Sequence, residues 1–278
     1  MKDRLGFSFL YFAPRITRAH EPWFGRLRAH GYACAELPVV DADERDVSEL
    51  RQVCEREGLA RTCVGFAVPG KNPVAADPAE RRLALEHLRQ LCEKAQALGA
   101  DVLAGPVHSA YGVWTEQPPS PDERARAVEV LRAAGEHAAT CGVTIAVEPL
   151  NRFESYFLNT AADCDALVAA VDHPNVVAAL DTHHAHLEED DLCGAIRQSG
   201  SRLGHVQLSE NHRGAPGSGQ VDFCAVLSTL REIDYRGWLI VEAFSRHDPT
   251  FGSRLRIWRA LDSGPESVLA AGATLAGL

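Results

Sequence analysis

Short apolar runs alternate with longer amphipathic stretches along the whole chain. Each short run contains mostly β-branched, aromatic or other apolar residues and is too short for an ordinary helix, so it is typical of a buried strand. We predict eight strands, at Leu5–Tyr11, Ala33–Val39, Thr62–Val68, Asp101–Gly105, Thr144–Glu148, Val176–Asp181, Leu203–Leu208 and Trp238–Glu242. The stretches between them are predicted as helices, because their apolar residues recur with a period of 3.6.

Two segments carry the signals of a helix start. Asp77-Pro78 and Ser120-Pro121-Asp122-Glu123 each offer a side-chain oxygen that can cap a helix, followed by proline in the first turn. Near the other end of the chain, Pro265–Leu278 is rich in alanine, glycine and leucine. We predict a closing helix there, which caps the fold or contacts a neighbouring subunit.

Eight strand–helix alternations are compatible with an open doubly wound sheet or a closed barrel. A G-x-G-x-x-G turn after the first strand would favour the open sheet, and the sequence has none there. Eight repeats in 278 residues suit a closed barrel, which typically needs about 250 residues. We therefore predict an α/β fold, a single (β/α)₈ TIM barrel spanning residues 1–278.

Four predicted strands run into a polar side chain near their carboxyl ends. These residues are Glu148, Asp181, Gln207 and Glu242, and the intervals between them are 33, 26 and 35 residues, each about one strand–helix unit. The four side chains are therefore expected at similar heights on strands 5 to 8. Barrel enzymes place their chemistry at this end of the strands.

Three ionised carboxylates that converge on a dry barrel would repel one another, and a bound cation removes that cost. Oxygen ligands without cysteine indicate a hard or borderline ion. We predict one divalent metal ion bound by Glu148, Asp181, Gln207 and Glu242, with Mn²⁺ as first choice and Mg²⁺ or Co²⁺ as alternatives. The competing interpretation is that each acid is an ordinary helix cap or surface charge.

Composition and charge narrow the functional classes. A net charge of −10 argues against a nucleic-acid partner, because phosphate binding requires a basic surface. The chain offers neither a signal-peptide pattern nor a run of about 18 apolar residues, so no membrane association and a cytoplasmic location are expected. The eight cysteines form no C-x-x-C pair, and they are interpreted as reduced core residues.

Several segments resemble the ketose 3-epimerases of the D-tagatose/D-allulose type, which belong to the xylose-isomerase-like sugar isomerase barrels. The resemblance is specific from about residue 60 to 245. It is carried by Val147-Glu148-Pro149-Leu150-Asn151-Arg152-Phe153-Glu154, Leu180-Asp181-Thr182-His183-His184, Gly204-His205-Val206-Gln207-Leu208-Ser209-Glu210-Asn211-His212-Arg213 and Tyr235-Arg236-Gly237-Trp238 with Glu242-Ala243-Phe244.

The resemblance implies a metal-dependent ketose 3-epimerase in which Glu148 and Glu242 bind the metal and also form the acid/base pair. Abstraction and return of a C–H proton would pass through an enediolate. The resemblance implies substrate contacts at Glu154, His184 and Arg213, with a free ketose or a hydroxy-keto acid as the small-molecule substrate. It also suggests a homodimer or homotetramer.

Other residues are predicted at the mouth from their positions alone. Trp114 and His108 follow the fourth strand and are candidate substrate contacts, although core packing is a competing explanation for an aromatic residue. Glu36 ends the second strand and could support the site from the far side. His205 and Gln207 share one face of their strand, so His205 is expected in the barrel interior below the metal.

One position departs from the epimerase pattern. The epimerases have histidine where this chain has Gln207, whereas hydroxypyruvate isomerase-like members of the superfamily have glutamine as a metal ligand. A carbohydrate-acid isomerase of that kind is therefore the alternative function, and the sequence does not separate 3-epimerisation from 1,2-isomerisation. An endonuclease IV-like enzyme and a sugar-binding barrel without turnover are lesser alternatives. An endonuclease of this kind would need histidines on strands 2 and 3, and this chain has none at the ends of those strands.

Overall fold

Eight parallel strands close into one barrel in their order along the chain, and the last strand pairs with the first. This computed structural model describes residues 2–278. The strands are β1 (Leu5–Ser8), β2 (Cys34–Pro38), β3 (Ala60–Val64), β4 (Val102–Gly105), β5 (Thr144–Val147), β6 (Val176–Asp181), β7 (Leu203–Ser209) and β8 (Trp238–Glu242). The predicted (β/α)₈ TIM barrel is confirmed.

The helices lie outside the strands. They are α1 (Glu21–Ala29), α2 (Glu44–Glu57), α3 (Pro78–Leu98), α4 (Pro121–Cys141), α5 (Ala161–Val171), α6 (Thr182–Glu188), α7 (Leu192–Ser199), α8 (Phe223–Glu232), α9 (Pro249–Arg254) and α10 (Pro265–Thr274). Asp77 and Ser120 cap α3 and α4 as predicted. The predicted closing helix forms α10, and the Tyr32 hydroxyl donates to the Leu269 carbonyl within it.

Two predicted strands differ from the structure by more than one residue at an end. The first strand ends at Ser8, because Phe9–Tyr11 turns into a 3₁₀ helix and the Phe9 ring stacks on Phe24 at 4.3 Å. The third strand lies at Ala60–Val64 rather than Thr62–Val68. The apolar run continues into a loop whose Ala67 is also buried, so hydrophobicity alone did not mark the end of the strand.

The main hydrophobic core joins the strands to the surrounding helices, while small alanines from β4, β5 and β6 form a second cluster. All eight cysteines are free, and six of them are buried, as the sequence predicts for reduced core residues. Among the described residues, no helix combines the length and apolarity needed to cross a membrane.

Candidate active site

The four predicted metal ligands gather at the carboxyl ends of β5 to β8, and all four are buried. Glu148 directly follows β5, while Asp181 and Glu242 are the last residues of β6 and β8. Gln207 lies within β7, in register with Asp181. The spacing of about one strand–helix unit therefore placed these residues correctly on neighbouring strands.

Asp181 has little freedom to move, because it ends β6 and also caps α6. Its Oδ1 atom accepts a hydrogen bond from the His183 backbone N–H at 2.8 Å. No loop separates the strand from the helix, so the backbone of both elements orients the carboxylate. Its Oδ2 atom accepts a hydrogen bond from the Arg213 guanidinium.

The Arg213 guanidinium lies among the acids of the site. Its Nη1 atom is 2.5 Å from Asp181 Oδ2 and 2.5 Å from Glu242 Oε2, and its Nη2 atom is 2.8 Å from His184 Nε2. The guanidinium also covers the Phe244 ring at 4.7 Å. Arg213 adopts a φ of 65°, a left-handed conformation that is uncommon outside glycine and that tends to occur at functional sites.

A hydrogen-bonded group below these residues crosses the barrel interior. Glu36 Oε2 accepts from His205 Nε2 at 2.8 Å, and Glu36 Oε1 accepts from the Gln207 side-chain amide at 3.2 Å. The same amide nitrogen donates to Glu242 Oε1 at 3.1 Å. Glu36 and His205 thus occupy the interior positions that the strand pattern indicates.

Burial and mutual repulsion set the charge of the carboxylates. Burial, with the neighbouring Glu242 and Asp181 carboxylates, raises the pKa of Glu148 well above its ordinary value. Burial likewise raises the pKa of Glu242 well above its ordinary value, against the pull of Arg213. Burial acts in the same direction on Asp181, but the charge of Arg213, followed by His184, lowers the pKa of that carboxyl.

The donor set fits a divalent cation. The carboxylates of Glu36 and Glu242 fix the orientation of the Gln207 amide nitrogen, so its Oε1 atom is buried without a hydrogen-bond partner. Ligand atoms of Glu148, Asp181 and His184 also lie within 4.8 Å of one another. A neutral oxygen beside carboxylates is a ligand environment that suits Mn²⁺ or Mg²⁺.

Two neighbouring cavities with shared lining residues lie at the site. The inner chamber has a volume of about 260 Å³, and its wall includes Glu148, Glu154, His184, Arg213 and Glu242. An outer cavity of about 490 Å³ shares Glu154 and Arg213 with the chamber. The three substrate contacts implied by the resemblance therefore line the same space as the two candidate acid/base groups.

Two predicted substrate contacts lie elsewhere. Trp114 is 49% exposed and lines only the outer cavity. His108 is fully buried behind the chamber, where Nε2 donates to the Glu148 carbonyl at 3.1 Å and Nδ1 accepts from Ser109 at 3.0 Å. Because the protein occupies both ring nitrogens of His108, this residue supports the Glu148 backbone and is not available to a substrate.

Sequence reasoning missed three residues around the chamber. The Tyr111 hydroxyl donates to Glu154 at 3.2 Å, Phe244 packs under Arg213, and Asn151 contacts both Glu154 and His184. Asn151 and Phe244 lie in the segments that carry the family resemblance, which was the available signal for them. Tyr111 carries no comparable signal.

The sequence profile of the xylose isomerase-like TIM barrel family matches residues 24–261. The chain belongs to this family. It is 31% identical to the D-psicose 3-epimerase of Enterocloster bolteae, over 92% of this chain and 87% of that protein. It is 33% identical to the L-ribulose 3-epimerase of Methylomonas sp., over 85% of this chain and 83% of that protein.

Solved structures agree with the sequence comparison. The crystal structure of D-allulose 3-epimerase from Methylomonas sp. in complex with D-allulose superposes with a TM-score of 0.89 at 30% identity, covering 98% of this chain and 94% of that one. These relatives place the chain among the sugar epimerases, which are enzymes of the isomerase class. The resemblance noted in the sequence is thereby confirmed.

Proposed function

We propose that the protein is a divalent-metal-dependent ketose 3-epimerase that acts on a free ketose. One observation carries this proposal: two buried glutamates with raised pKa values, Glu148 and Glu242, line the same small chamber. The chamber volume of about 260 Å³ lies just below the range of about 300–1,000 Å³ that is usual for drug-sized ligands. It therefore suits a small sugar.

Glu148, Asp181, Gln207 and Glu242 would hold the metal, with Mn²⁺ as first choice and Mg²⁺ or Co²⁺ as alternatives. The orphaned Gln207 oxygen and the excess of carboxylates over cations support this ligand set. When bound, such an ion supplies Lewis-acid stabilisation of the charge that develops on the carbonyl oxygen.

Glu148 and Glu242 would perform the proton transfers. Both carboxylates line the chamber in which the sugar would bind, where a general acid/base pair must lie. One glutamate removes the proton at C3 and the other returns a proton to the opposite face, which inverts that carbon. Glu154, His184 and Arg213 would hold the hydroxyl groups of the substrate. Trp114 lines the outer cavity and would contact only a part of the substrate that extends into it.

A hydroxypyruvate isomerase-like reaction is the second candidate, because two features favour it. Gln207 stands where the epimerases have histidine, and Arg213 presents a buried guanidinium that can bind a carboxylate. Hydroxypyruvate would then exchange a proton at its hydroxymethyl carbon, which, like C3 of a ketose, is adjacent to the carbonyl at C2.

Solvent exchange separates the two reactions. The Mn²⁺-loaded protein is incubated in D₂O with D-psicose, D-fructose, L-ribulose and hydroxypyruvate, and deuterium is located by NMR. We expect label at C3 of at least one ketose. Label confined to C1 or C2, or label in hydroxypyruvate alone, contradicts 3-epimerisation, and no exchange with any compound contradicts the carbon-acid mechanism.

The variant Glu148→Gln keeps the shape of the side chain and removes its basicity. We expect its exchange rate to fall at least about a hundredfold. Glu136→Gln, on the exposed face of α4, is the matched control and should retain the wild-type rate. Comparable rates in the two variants would remove Glu148 from the mechanism.

Assembly as a homodimer or homotetramer and a cytoplasmic location stay predictions, as does the absence of a nucleic-acid partner. Sedimentation velocity on the metal-loaded protein measures the first of these directly. A monomer at micromolar concentration would contradict the assembly that the family resemblance suggests.

A further inference from the structure

Asn151 lies in the loop after β5, is 2% exposed, and contacts two of the proposed substrate residues. Its side-chain nitrogen is 2.9 Å from Glu154 Oε1 and 2.8 Å from His184 Nδ1. Its backbone N–H also points at His184 Nδ1, at 3.0 Å. None of the proposed metal-binding or acid/base roles uses this residue.

The orientation of the Asn151 amide is fixed by a neighbour. Its Oδ1 atom accepts a hydrogen bond from the Phe153 backbone N–H at 3.0 Å. Since a backbone N–H can only donate, the oxygen must face Phe153 and the NH₂ group must face Glu154 and His184. The amide therefore donates to both residues.

Donors lie at both ring nitrogens of His184: Arg213 is at Nε2, whereas the Asn151 backbone and side chain both donate toward Nδ1, and we take these two fixed donors to decide the tautomer. The backbone N–H of Asn151 requires a lone pair on Nδ1, and the neutral imidazole has its single hydrogen on the other nitrogen. Nε2–H then points toward the chamber, 3.5 Å from Glu148 Oε1. The Arg213 Nη2 group is also a donor and lies 2.8 Å from the same nitrogen, so the two N–H groups repel each other, and an acceptor oxygen that bound both would have to move the guanidinium away from the ring.

Glu154 is held at both oxygens. Asn151 donates to Oε1 at 2.9 Å and the Tyr111 hydroxyl donates to Oε2 at 3.2 Å. The carboxylate is thus oriented toward the chamber and the outer cavity, both of which it lines. A carboxylate in this place accepts from a hydroxyl group of the substrate, whereas His184 donates to one.

We propose that Asn151 is a positioning residue that holds His184 as an Nε2–H donor and Glu154 as an acceptor. These two side chains then bind hydroxyl or carbonyl oxygens of the ketose. This rests on the proposed function for the identity of the ligand. The tautomer of His184, however, is a property of the free protein.

Asn159, in the same loop, provides a control for the possibility that Asn151 only stabilises the loop. The Asn159 side-chain nitrogen donates to the carbonyls of Leu150 at 2.7 Å and Ser155 at 2.9 Å. These bonds fix the loop but reach neither His184 nor Glu154. Asn159→Ala therefore reports what loosening of the loop alone does.

The first test reads the tautomer without substrate. Two-bond ¹H–¹⁵N correlation spectra of uniformly labelled, metal-free protein distinguish Nε2–H from Nδ1–H histidine, and the His184 signal is assigned as the one lost in His184→Gln. We expect Nε2–H. An Nδ1–H pattern overturns the proposal even if the protein epimerises ketoses. If wild type leaves every ketose unchanged, the proposed function fails while this spectrum still decides the tautomer.

The second test compares steady-state constants of the Mn²⁺-loaded protein, with whichever of D-psicose, D-fructose and L-ribulose wild type converts. Asn151→Asp keeps the size of the side chain and the oxygen that faces Phe153, but it loses both donated bonds and places a negative charge beside Glu154. We expect KM to rise at least about tenfold while kcat changes less than about threefold, because these contacts exist before and during the reaction.

Asn151→Ala, which leaves Glu154 unrepelled, should raise KM by less than Asn151→Asp does. Asn159→Ala should lower the melting temperature and keep KM within about twofold of wild type. The proposal is overturned if Asn159→Ala raises KM as much as Asn151→Asp, or if Asn151→Asp binds substrate as wild type does.

Discussion

At the scale of single residues, the balance of charge around Glu148 decides how the site behaves without a metal. The Arg213 guanidinium is buried and contacts both Asp181 and Glu242. One guanidinium does not neutralise three carboxylates. The remaining excess of negative charge is relieved either by a proton or by a bound cation.

This excess predicts a pH dependence for the stability of the metal-free protein. Burial raises the folded-state pKa of Glu148 above its ordinary value of 4.5, so the stability that its protonated form contributes is lost as the pH rises through that higher pKa. Glu148→Gln cannot ionise. We expect the variant to gain stability relative to wild type from pH 5 to pH 8, by up to about 1.4 kcal/mol per pH unit within the titration window.

Urea unfolding in the presence of EDTA at several pH values measures this difference. The matched control, Glu136→Gln on the exposed face of α4, should follow the wild-type curve at every pH. A constant difference between Glu148→Gln and wild type from pH 5 to pH 8 would mean that Glu148 is already ionised in the metal-free fold.

At the scale of elements, α6 follows β6 directly, and the junction is tied to the neighbouring strand. The Thr182 hydroxyl donates to the Ser209 carbonyl at 2.7 Å and accepts from the Ser209 N–H at 2.8 Å. Both residues are buried. This pair joins the ends of β6 and β7 next to Asp181 and Gln207, so it fixes the relative height of two proposed ligands.

Thr182→Val preserves the shape of the side chain and removes the hydroxyl. It leaves the Ser209 N–H and carbonyl buried without partners, which costs about 1–3 kcal/mol for each unpaired group. We expect a lower melting temperature and weaker Mn²⁺ binding by calorimetry. Thr182→Ser keeps the hydroxyl and should bind Mn²⁺ as wild type does, and equal affinities in all three proteins would show that the junction does not position the ligands.

The same elements explain what the sequence could and could not predict. An acid at the end of a short apolar run marks both the end of a predicted strand and the height of its side chain in the barrel. Glu148, Asp181 and Glu242 could therefore be placed from the sequence. The ends of β1 and β3 could not, because buried apolar residues continue from the strand into the loop. His108 was misplaced for a related reason: its position after β4 gave its height but not the direction of its ring.

Long-range contacts were beyond prediction from the pattern. Arg213 contacts Asp181 and Glu242 from a loop in which its own φ is positive, and such a conformation leaves no periodic pattern in the sequence. The Asn151 contacts depend similarly on a turn in which Phe153 fixes the amide. The family resemblance indicated that these segments matter, whereas only the folded loops reveal which atoms meet.

At the scale of the whole molecule, the barrel closes where β1 lies between β8 and β2. Gly6 pairs with Ile240 on one side and with Cys34 on the other. A Cβ atom at Gly6 would lie 2.5 Å from Ile240 Cδ1, 3.0 Å from Cys34 Cβ and 3.1 Å from the Cys34 carbonyl oxygen. The flexible end of Ile240 can shift, but the contacts with Cys34 involve atoms on or next to the backbone of β2. The closure therefore requires a residue without a side chain at this position.

Gly6→Ala should strain this closure and destabilise the protein by about 1–3 kcal/mol, as overpacking of a buried site usually does. Gly25→Ala is the matched control, because Gly25 lies in α1 and its Cβ would meet Glu57 Oε2 at an ordinary 3.6 Å. Alanine is the better helix former by about 1 kcal/mol, so this control should be as stable as wild type or more stable. Thermal unfolding followed by circular dichroism measures both, and a Gly6→Ala protein that melts with the control would show that β1 can move away from β2 without opening the barrel.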